Sequence, residues 1–276
     1  MKKGFILLLI VIVGFLYYVS KQRKQPVTEC LETSINVPDN GAIQESGTLV
    51  HLACIMDGNR RWAHQRGLDP WQGHQAGIEV ARKTLEFCIE KNIKYLTLYI
   101  LSPENLRRSK QELDHIFDLM AQEAHKGVVE FRKQGVRVRF KGDRSLFPSQ
   151  LIPLLDDFEA KTADMDTITV TLLFCYGARQ EIALAVKNIA RQIKEGQLHE
   201  DDICPELIAQ NLWTADIPDP DLIIRTGKVS RLSNFLLFQA AYSELYMMDC
   251  LWPDVTKEHL ELAYQAYFNT KRTFGT

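Results

Sequence analysis

The sequence predicts an α/β protein in which a mainly parallel central sheet is flanked by helices. Short apolar runs of strand length alternate along the chain with segments whose apolar residues recur every three or four positions. Such alternation is typical of parallel sheets, because a helix returns the chain to the start of the next strand. The chain of 276 residues is 46% hydrophobic and 25% charged, which is ordinary for a globular protein.

The strands are predicted from apolar runs that are bounded by polar turns. The run at 51–55 is followed by an Asp-Gly turn, and the run at 95–101 is apolar enough for a buried strand. Between 136 and 140 the apolar residues alternate with Arg137 and Arg139, which is the period of a strand. Two further strands are expected at 168–174 and 222–224.

The helices are predicted from the spacing of their apolar residues. Ile78, Ala81 and Leu85 fall on one face of a helix, and Ile116 and Met120 do so further along the chain. The helices are expected at 78–89, 111–134, 151–162, 182–193 and 258–268. In parallel sheets, ligands bind beyond the carboxyl ends of the strands, so the turns after the strands are the candidate sites.

The first residues of the chain differ from the rest. Residues 5–19 are apolar and are flanked by lysines and an arginine on the two sides. As a helix this segment spans about 22 Å, which snorkelling lysines could extend towards the roughly 30 Å hydrocarbon core of a bilayer. We expect an N-terminal membrane anchor over 1–24, a linker over 25–47 and a folded α/β domain over 48–276. A cleaved signal peptide is the alternative, but no small-residue cleavage site follows Val19.

Charge, cysteines and motifs exclude several classes of protein. The formal net charge of -2 argues against a general nucleic-acid binder, which is usually basic. No two of the 6 cysteines have the spacing of a CxxC or zinc-ligand pair, so we expect a reduced compartment. The signatures of P-loop NTPases, Rossmann dehydrogenases and α/β-hydrolases are absent from the sequence.

Four polar clusters follow strand-like segments, and the first is Asp57-Gly58-Asn59-Arg60-Arg61-Trp62. Gly58 allows the backbone to approach a ligand closely, and the amides that follow it could cradle a phosphate. Arg60 and Arg61 would add positive charge, and Asp57 could hold a divalent metal that bridges to phosphate oxygens. The alternative is an ordinary Asp-Gly turn with solvated arginines.

The other three clusters combine charged groups with hydroxyls or with an apolar environment. The second is 102–108, with Ser102, Pro103, Glu104, Asn105, Leu106 and Arg108. The third, at 225–234, has two arginines, hydroxyls and a glycine on one loop, the composition of a diphosphate clamp. In the fourth, at 242–246, Glu244 is a carboxylate in an apolar stretch and needs a partner such as an arginine or a metal. A capped helix start or a surface ion pair is the alternative for each.

Taken in order, these clusters resemble the cis-prenyltransferase family, also called the undecaprenyl diphosphate synthase family. The matching stretches are HLACIMDGNRRWA, GHQAG, YLTLYILSPENLRRS, PDLIIRTG, RLSNFLL and AYSELY…LWPD, spread over roughly 51–254. The resemblance implies a parallel-sheet homodimer that requires Mg²⁺. It also implies that the enzyme condenses isopentenyl diphosphate with an allylic diphosphate, for which we expect farnesyl diphosphate. The product would be a long cis-polyprenyl diphosphate that serves as a lipid-carrier precursor.

The resemblance also implies roles for individual residues. Asp57 and Asn105 would be catalytic, with Asp57 binding Mg²⁺ and Asn105 assisting proton removal, and Glu244 would be a second Mg²⁺ ligand. Isopentenyl diphosphate would be held by Arg225, Arg231 and Ser233. The full substrate-binding set is Gly58, Asn59, Arg60, Arg61, Trp62, His74, Ser102, Pro103, Glu104, Leu106, Arg108, Arg225, Arg231, Leu232 and Ser233. The apolar faces of the helices at 78–89 and 113–124 would line a groove for the hydrocarbon or form plain core.

The sequence departs from the family pattern at several positions. Pro70 replaces an arginine, Leu106 a tryptophan and Ser109 a proline, and Lys228 stands where members have glycine. These departures leave a non-catalytic prenyl-diphosphate-binding or regulatory partner subunit as the alternative function, and another phosphate-handling enzyme such as a phosphatase as a weaker one. For the leading function we expect a membrane-anchored protein with its catalytic domain in the cytoplasm.

Overall fold

The computed structural model describes residues 48–270. Within them the chain forms a six-stranded sheet in the order β3-β4-β2-β1-β5-β6, with every neighbouring pair of strands parallel. The strands are β1 His51–Ile55, β2 Tyr95–Tyr99, β3 Val136–Lys141, β4 Ile168–Leu173, β5 Leu222–Arg225 and β6 Glu244–Met247. The predicted α/β fold with a parallel sheet is confirmed, and the five predicted strands all form.

Helices connect the strands. They are α1 Asn59–Gln65, α2 Pro70–Glu90, α3 Lys110–Lys133, α4 Ile152–Lys161, α5 Ala178–Lys194, α6 Pro205–Gln210 and α7 Lys257–Asn269. Short 3₁₀ turns lie at Pro103–Arg107, Arg144–Leu146, Glu200–Asp202, Gln239–Tyr242 and Trp252–Asp254. The five predicted helices are present, and α1, α6 and the edge strand β6 were not predicted. Both missed helices are too short to show a helical period, since they have 7 and 6 residues.

The helix α2 begins eight positions before the predicted start at 78. Asp69 and Gln72 form a reciprocal capping box at its N-terminus, and Pro70 occupies the first turn. The first two turns lack an apolar period because glycines replace large side chains there. A Cβ at Gly73 would lie 2.1 Å from the carbonyl oxygen of Asn59, and one at Gly77 would lie 2.9 Å from Trp252. The glycines therefore let α2 pack directly on α1.

The register of the sheet brings the ends of three strands together. Strand β1 pairs with β2 on one side, with Cys54 opposite Leu98, and with β5 on the other, with Ile55 opposite Arg225. The segments that follow β1, β2 and β5 carry the first three polar clusters. They consequently leave the sheet at the same edge.

The two faces of the sheet support separate apolar cores, because side chains alternate along each strand. On one face Leu52 and Cys54 join the larger core, which includes residues of α2, α3, α4 and α7. On the other face Ala53, Ile55 and Ile223 join a smaller core. Both cores therefore include residues of β1, the strand after which the first polar cluster begins.

Among residues 48–270 we find no helix long and apolar enough to cross a lipid bilayer. This finding contradicts the expectation of a membrane-anchored protein with a transmembrane helix. The predicted anchor at 1–24 and the predicted linker at 25–47 lie outside the described residues.

Replacing Gly73 by alanine should destabilise the protein although alanine favours helix. The added methyl would overlap the Asn59 carbonyl at 2.1 Å, and such overpacking typically costs 1–3 kcal/mol. We expect the Gly73→Ala variant to melt roughly 3–8 °C below wild type in a calorimetric or circular-dichroism scan.

The matched control is Gly67→Ala, whose φ is +67° and whose new methyl would meet no atom within 4 Å. Its stability should fall only by the cost of placing alanine in this left-handed backbone conformation, about 1 kcal/mol. A Gly73→Ala variant that melted at or above the wild-type temperature would show that α1 and α2 do not need this close contact.

Candidate active site

Asp57 and Arg225 form an ion pair at the carboxyl edge of the sheet. Arg225 Nη2 donates to Asp57 Oδ2 at 2.8 Å, and Arg61 Nη2 donates to Asp57 Oδ1 at 3.2 Å. The Arg225 side chain is only 4% exposed, whereas that of Asp57 is 32% exposed. The backbone carbonyl of Asp57 accepts from Thr226 Oγ1 at 2.7 Å and from the Trp252 amide at 3.0 Å. Hydrogen bonds thus hold the backbone of Asp57 in place, while its carboxylate remains accessible.

The same arginine organises the loop after β5. Arg225 Nη1 donates to Ser233 Oγ at 2.8 Å and also to the carbonyl of Arg231, and its buried Nε has no hydrogen-bond partner. The loop folds back over Arg225 through left-handed residues, with φ of 58° at Lys228 and 51° at Ser233. Ser233 and the exposed Arg231 are therefore positioned beside the Asp57–Arg225 pair.

Gly227 is required where this loop meets the first cluster. A Cβ there would lie 2.4 Å from Arg61 Nη2 and 3.0 Å from Asp57 Cγ, and its φ is +92°. The Gly227 carbonyl accepts from Arg61 Nη1 at 2.8 Å. Gly58 has a similar role on the other side, because it starts α1 with a φ of 114° and packs against Leu251.

The loop after β2 supplies the facing wall. Ser102 Oγ accepts from the Asn105 amide at 3.3 Å, and Asn105 Oδ1 accepts from the Ser102 amide at 3.4 Å. This reciprocal cap fixes the Asn105 side chain at the cavity. Glu104 Oε1 accepts from Asn234 Nδ2 at 3.2 Å, which links the loops after β2 and β5.

Glu112 is a site residue that sequence analysis missed. Its buried Oε1 lies 3.4 Å from Arg60 Nε, 3.3 Å from Arg108 Nη1 and 3.3 Å from His74 Nε2. A carboxylate with three such neighbours holds them in one group. The local sequence hides this role, because Glu112 follows Ser109 at the spacing of a helix cap and its amide does donate to Ser109 Oγ.

Burial and charge set the protonation state of His74. Burial lowers the pKa of His74 below its usual 6.5, and the Arg108 cation lowers it further, while the hydrogen bond and charge of Glu112 oppose both effects. The imidazole is therefore neutral above pH 6.5. It can act as a hydrogen-bonding group without carrying charge.

A cavity of about 390 Å³ opens among these polar groups and continues between α2, α3 and the sheet. Its mouth is lined by Asp57, Asn59, His74, Ser102, Asn105, Arg108, Arg225 and Ser233. Its deeper walls are mainly apolar and include Ile78, Ala81, Leu85, Leu98, Leu119, Met120, Ala124, Phe131, Phe140, Phe158, Val170 and Leu172. The predicted apolar faces at 78–89 and 113–124 both contribute to this lining and to the larger core. The cavity therefore suits an amphiphile with a polar head and a hydrocarbon tail.

The lining of this cavity does not include ten of the predicted site residues. Six of them are Gly58, Arg60, Arg61, Glu104, Arg231 and Glu244, and the other four contact neighbouring parts of the protein. Trp62 Nε1 donates to Asp254 Oδ1 at 2.7 Å, and Leu106 and Leu232 pack against the two cores. Pro103 begins the 3₁₀ turn that carries Asn105. These residues support the loops of the site.

Glu244 is placed at the other end of the sheet from Asp57. It begins β6 opposite Leu222, three residues before Met247, which is opposite Arg225. At about 3.3 Å per residue, this puts Glu244 roughly 10 Å from the carboxyl edge. Within residues 48–270 no three acidic, histidine or cysteine side chains are grouped as a metal site. The role of Glu244 as a second Mg²⁺ ligand stays a prediction.

Comparison with known proteins agrees with the site. A family model described as putative undecaprenyl diphosphate synthase matches residues 55–275. This chain belongs to that prenyltransferase family. The isoprenyl transferase of Agrobacterium fabrum is 43% identical over 225 residues, covering 82% of this chain and 91% of the relative. The ditrans,polycis-undecaprenyl-diphosphate synthase ((2E,6E)-farnesyl-diphosphate specific) of Xylella fastidiosa is 39% identical, and the match covers 82% of this chain and 88% of the relative.

The fold of the family is also that of this chain. The crystal structure of lavandulyl diphosphate synthase from Lavandula x intermedia, in complex with dimethylallyl diphosphate, has a TM-score of 0.80 and is 33% identical. The match covers 83% of this chain and 99% of that structure. The resemblance found from the polar clusters is confirmed, and the chain is a transferase of the prenyltransferase family.

Removing the Glu112 charge should lower the pKa of His74 further. Glu112 favours the charged imidazolium and so raises the pKa of His74. In Glu112→Gln nothing from Glu112 opposes burial and Arg108, which both lower that pKa. An NMR titration of the His74 ring protons should show a midpoint below 6.5 in wild type and a lower one in the variant.

Asp114→Asn is the matched control, since Asp114 lies on the same helix, is exposed and pairs with Lys110. This variant should leave the midpoint of the His74 titration unchanged. A rise of the His74 midpoint in Glu112→Gln would contradict the role given to this carboxylate.

Proposed function

We propose that this chain condenses isopentenyl diphosphate with an allylic diphosphate, with farnesyl diphosphate as the primer, to make a long cis-polyprenyl diphosphate. The observation that carries the proposal is a polar mouth, which includes Arg108 and Arg225, continuous with the mainly apolar inner part of the cavity, here called the tunnel. A diphosphate would bind at the mouth and its hydrocarbon in the tunnel. A phosphatase acting on small phosphomonoesters has no use for such a tunnel, which disfavours that alternative.

The side chains of the mouth match the chemistry of this reaction. When the allylic C–O bond breaks, the leaving diphosphate takes the electron pair and gains charge, so Arg60, Arg61 and Arg108 stabilise the transition state more than the ground state. The double bond of isopentenyl diphosphate attacks the allylic carbon, and a C–C bond forms. A proton is then lost from the resulting cation, and Asn105 is positioned at the cavity to orient the group that accepts it. Arg225, Arg231 and Ser233 would hold the second diphosphate.

Mg²⁺ fits the mouth as an ion shared between protein and substrate. Asp57 has an accessible carboxylate, and Mg²⁺ is usually held by one or two carboxylates together with substrate phosphates. Asp57 would supply the protein ligand, and the ion would neutralise charge on the leaving diphosphate. Glu244 remains a proposed ligand only in a site that does not include Asp57 of the same chain.

We further propose that the catalytic domain, residues 48–276, works as a homodimer. The exposed apolar residues Tyr242 and Leu245 lie just before and on β6, the edge strand of the sheet. Such a patch beside an open strand edge is suited to a partner subunit.

Asp57→Ala should abolish turnover. It removes the accessible carboxylate at the mouth and leaves the buried Arg225 without its charged partner, so we expect a fall of at least about 100-fold in rate. The assay uses the full chain with Mg²⁺, farnesyl diphosphate and labelled isopentenyl diphosphate, and it resolves products by chain length.

The control is Asp164→Ala, which breaks the exposed pair with Arg132 and should keep the wild-type rate. Wild-type activity in Asp57→Ala would overturn the proposed role of Asp57. If the wild-type chain binds both diphosphates and adds no unit, the non-catalytic partner subunit becomes the better function.

Lys228 offers a second test of the clamp. It is exposed and has a φ of 58°, a conformation that costs a non-glycine residue about 1–2 kcal/mol. Lys228→Asn removes the charge but tolerates this backbone, so we expect a several-fold rise in KM for isopentenyl diphosphate with little change in melting temperature. Lys228→Gly should raise KM equally and increase stability. An unchanged KM in both variants would show that the charge does not reach the diphosphate.

A further inference from the structure

An ion pair interrupts the apolar wall of the tunnel. Arg82 of α2 and Glu123 of α3 both line the cavity, and Arg82 Nη2 donates to Glu123 Oε2. Their neighbours in the lining are apolar, with Leu85 on α2 and Met120 on α3. The two side chains are 33% and 35% exposed, so they retain contact with water.

The pair lies well below the mouth. The helices α2 and α3 run in the same direction, because Trp71 stacks on His115 at 4.4 Å near their starts and Arg82 meets Glu123 further on. The contact of His74 with Glu112 marks the mouth. At about 1.5 Å per residue, Arg82 is roughly 12 Å beyond His74, and Glu123 is roughly 16 Å beyond Glu112.

This depth corresponds to a short prenyl chain. An extended isoprene unit adds about 5 Å, since it contributes four carbon–carbon bonds of about 1.5 Å each. The three-unit tail of farnesyl diphosphate, the proposed primer, therefore ends at about the level of the pair. The cavity continues past it to Phe131, Phe140 and Phe158, so longer tails have space but must pass two charges.

We propose that the Arg82–Glu123 pair limits the length of the product, an inference that rests on the proposed function. A hydrocarbon that passes the pair displaces water from both charges, and removing water from charged groups is unfavourable. Each condensation after the tail reaches the pair is slowed relative to product release. The pair thereby determines the chain length at which product release becomes faster than the next condensation.

The test is the double variant Arg82→Leu/Glu123→Leu, which removes both charges and leaves neither unpaired. The full chain is given Mg²⁺, farnesyl diphosphate and labelled isopentenyl diphosphate, and the product ladder is resolved by length. We expect the most abundant product to gain at least one isoprene unit. The first addition, which moves the farnesyl tail past the pair, should be at least as fast as in wild type. An unchanged or shorter ladder would overturn the inference.

Two further variants separate the pair from other effects. Glu79 is 71% exposed and lies 3.9 Å from Arg82 Nε on the outside of α2, so Glu79→Gln should keep the wild-type ladder. The exchange Arg82→Glu/Glu123→Arg restores opposite charges at the same level and should return the ladder to wild type. A Glu79→Gln ladder as long as that of the double leucine variant, or an exchange variant that stays long, would contradict the assignment.

Binding distinguishes a failure of this inference from a failure of the proposed function. If the wild-type chain forms no product, the proposed function fails. The length limit is then tested separately, by measuring the affinity for prenyl diphosphates of different lengths. The double leucine variant should bind a polyprenyl diphosphate of eight or more units at least threefold more tightly than wild type, with unchanged affinity for farnesyl diphosphate. Equal affinities in the two proteins would overturn the length limit.

Discussion

The site depends on one buried cation, the guanidinium of Arg225 at the end of β5. A charge that is 4% exposed must be paired or hydrogen-bonded, and the register of β1 against β5 supplies Asp57 as its partner. Because Arg225 also donates to Ser233 and to the Arg231 carbonyl, the same cation draws in the loop after β5. One ionic interaction thus positions the carboxylate of the first cluster and the hydroxyl of the third.

Glycine allows these parts to come so close. Gly227 contacts Asp57 and Arg61 with no room for a side chain, and Gly73 lets α2 lie on the Asn59 carbonyl. The close crossing of α1 and α2 brings His74 to the mouth, although His74 is distant in sequence from Asp57. Backbone approach of this kind is typical of phosphate sites, where amides and charged groups converge on one ligand.

The alternation of strands and helices was sufficient to predict the parallel sheet, and the order of the polar clusters was sufficient to predict the family. The convergence of 57–62, 102–108 and 225–234 follows from a general property of parallel sheets, that strand ends share one edge. Glu112 could not be found this way, because its partners Arg60 and His74 meet it only through the packing of three helices. The separation of Glu244 from Asp57 was equally hidden, since it depends on the register of the unpredicted strand β6.

Charged side chains connect α2 and α3 beside the tunnel. At the mouth, Glu112 of α3 contacts His74 of α2, and further down Glu123 of α3 contacts Arg82 of α2. The apolar residues between these helices and the sheet line the cavity and also belong to the larger core. These contacts therefore place charge on a wall that is otherwise mainly apolar, along the path that the hydrocarbon takes in the proposed function.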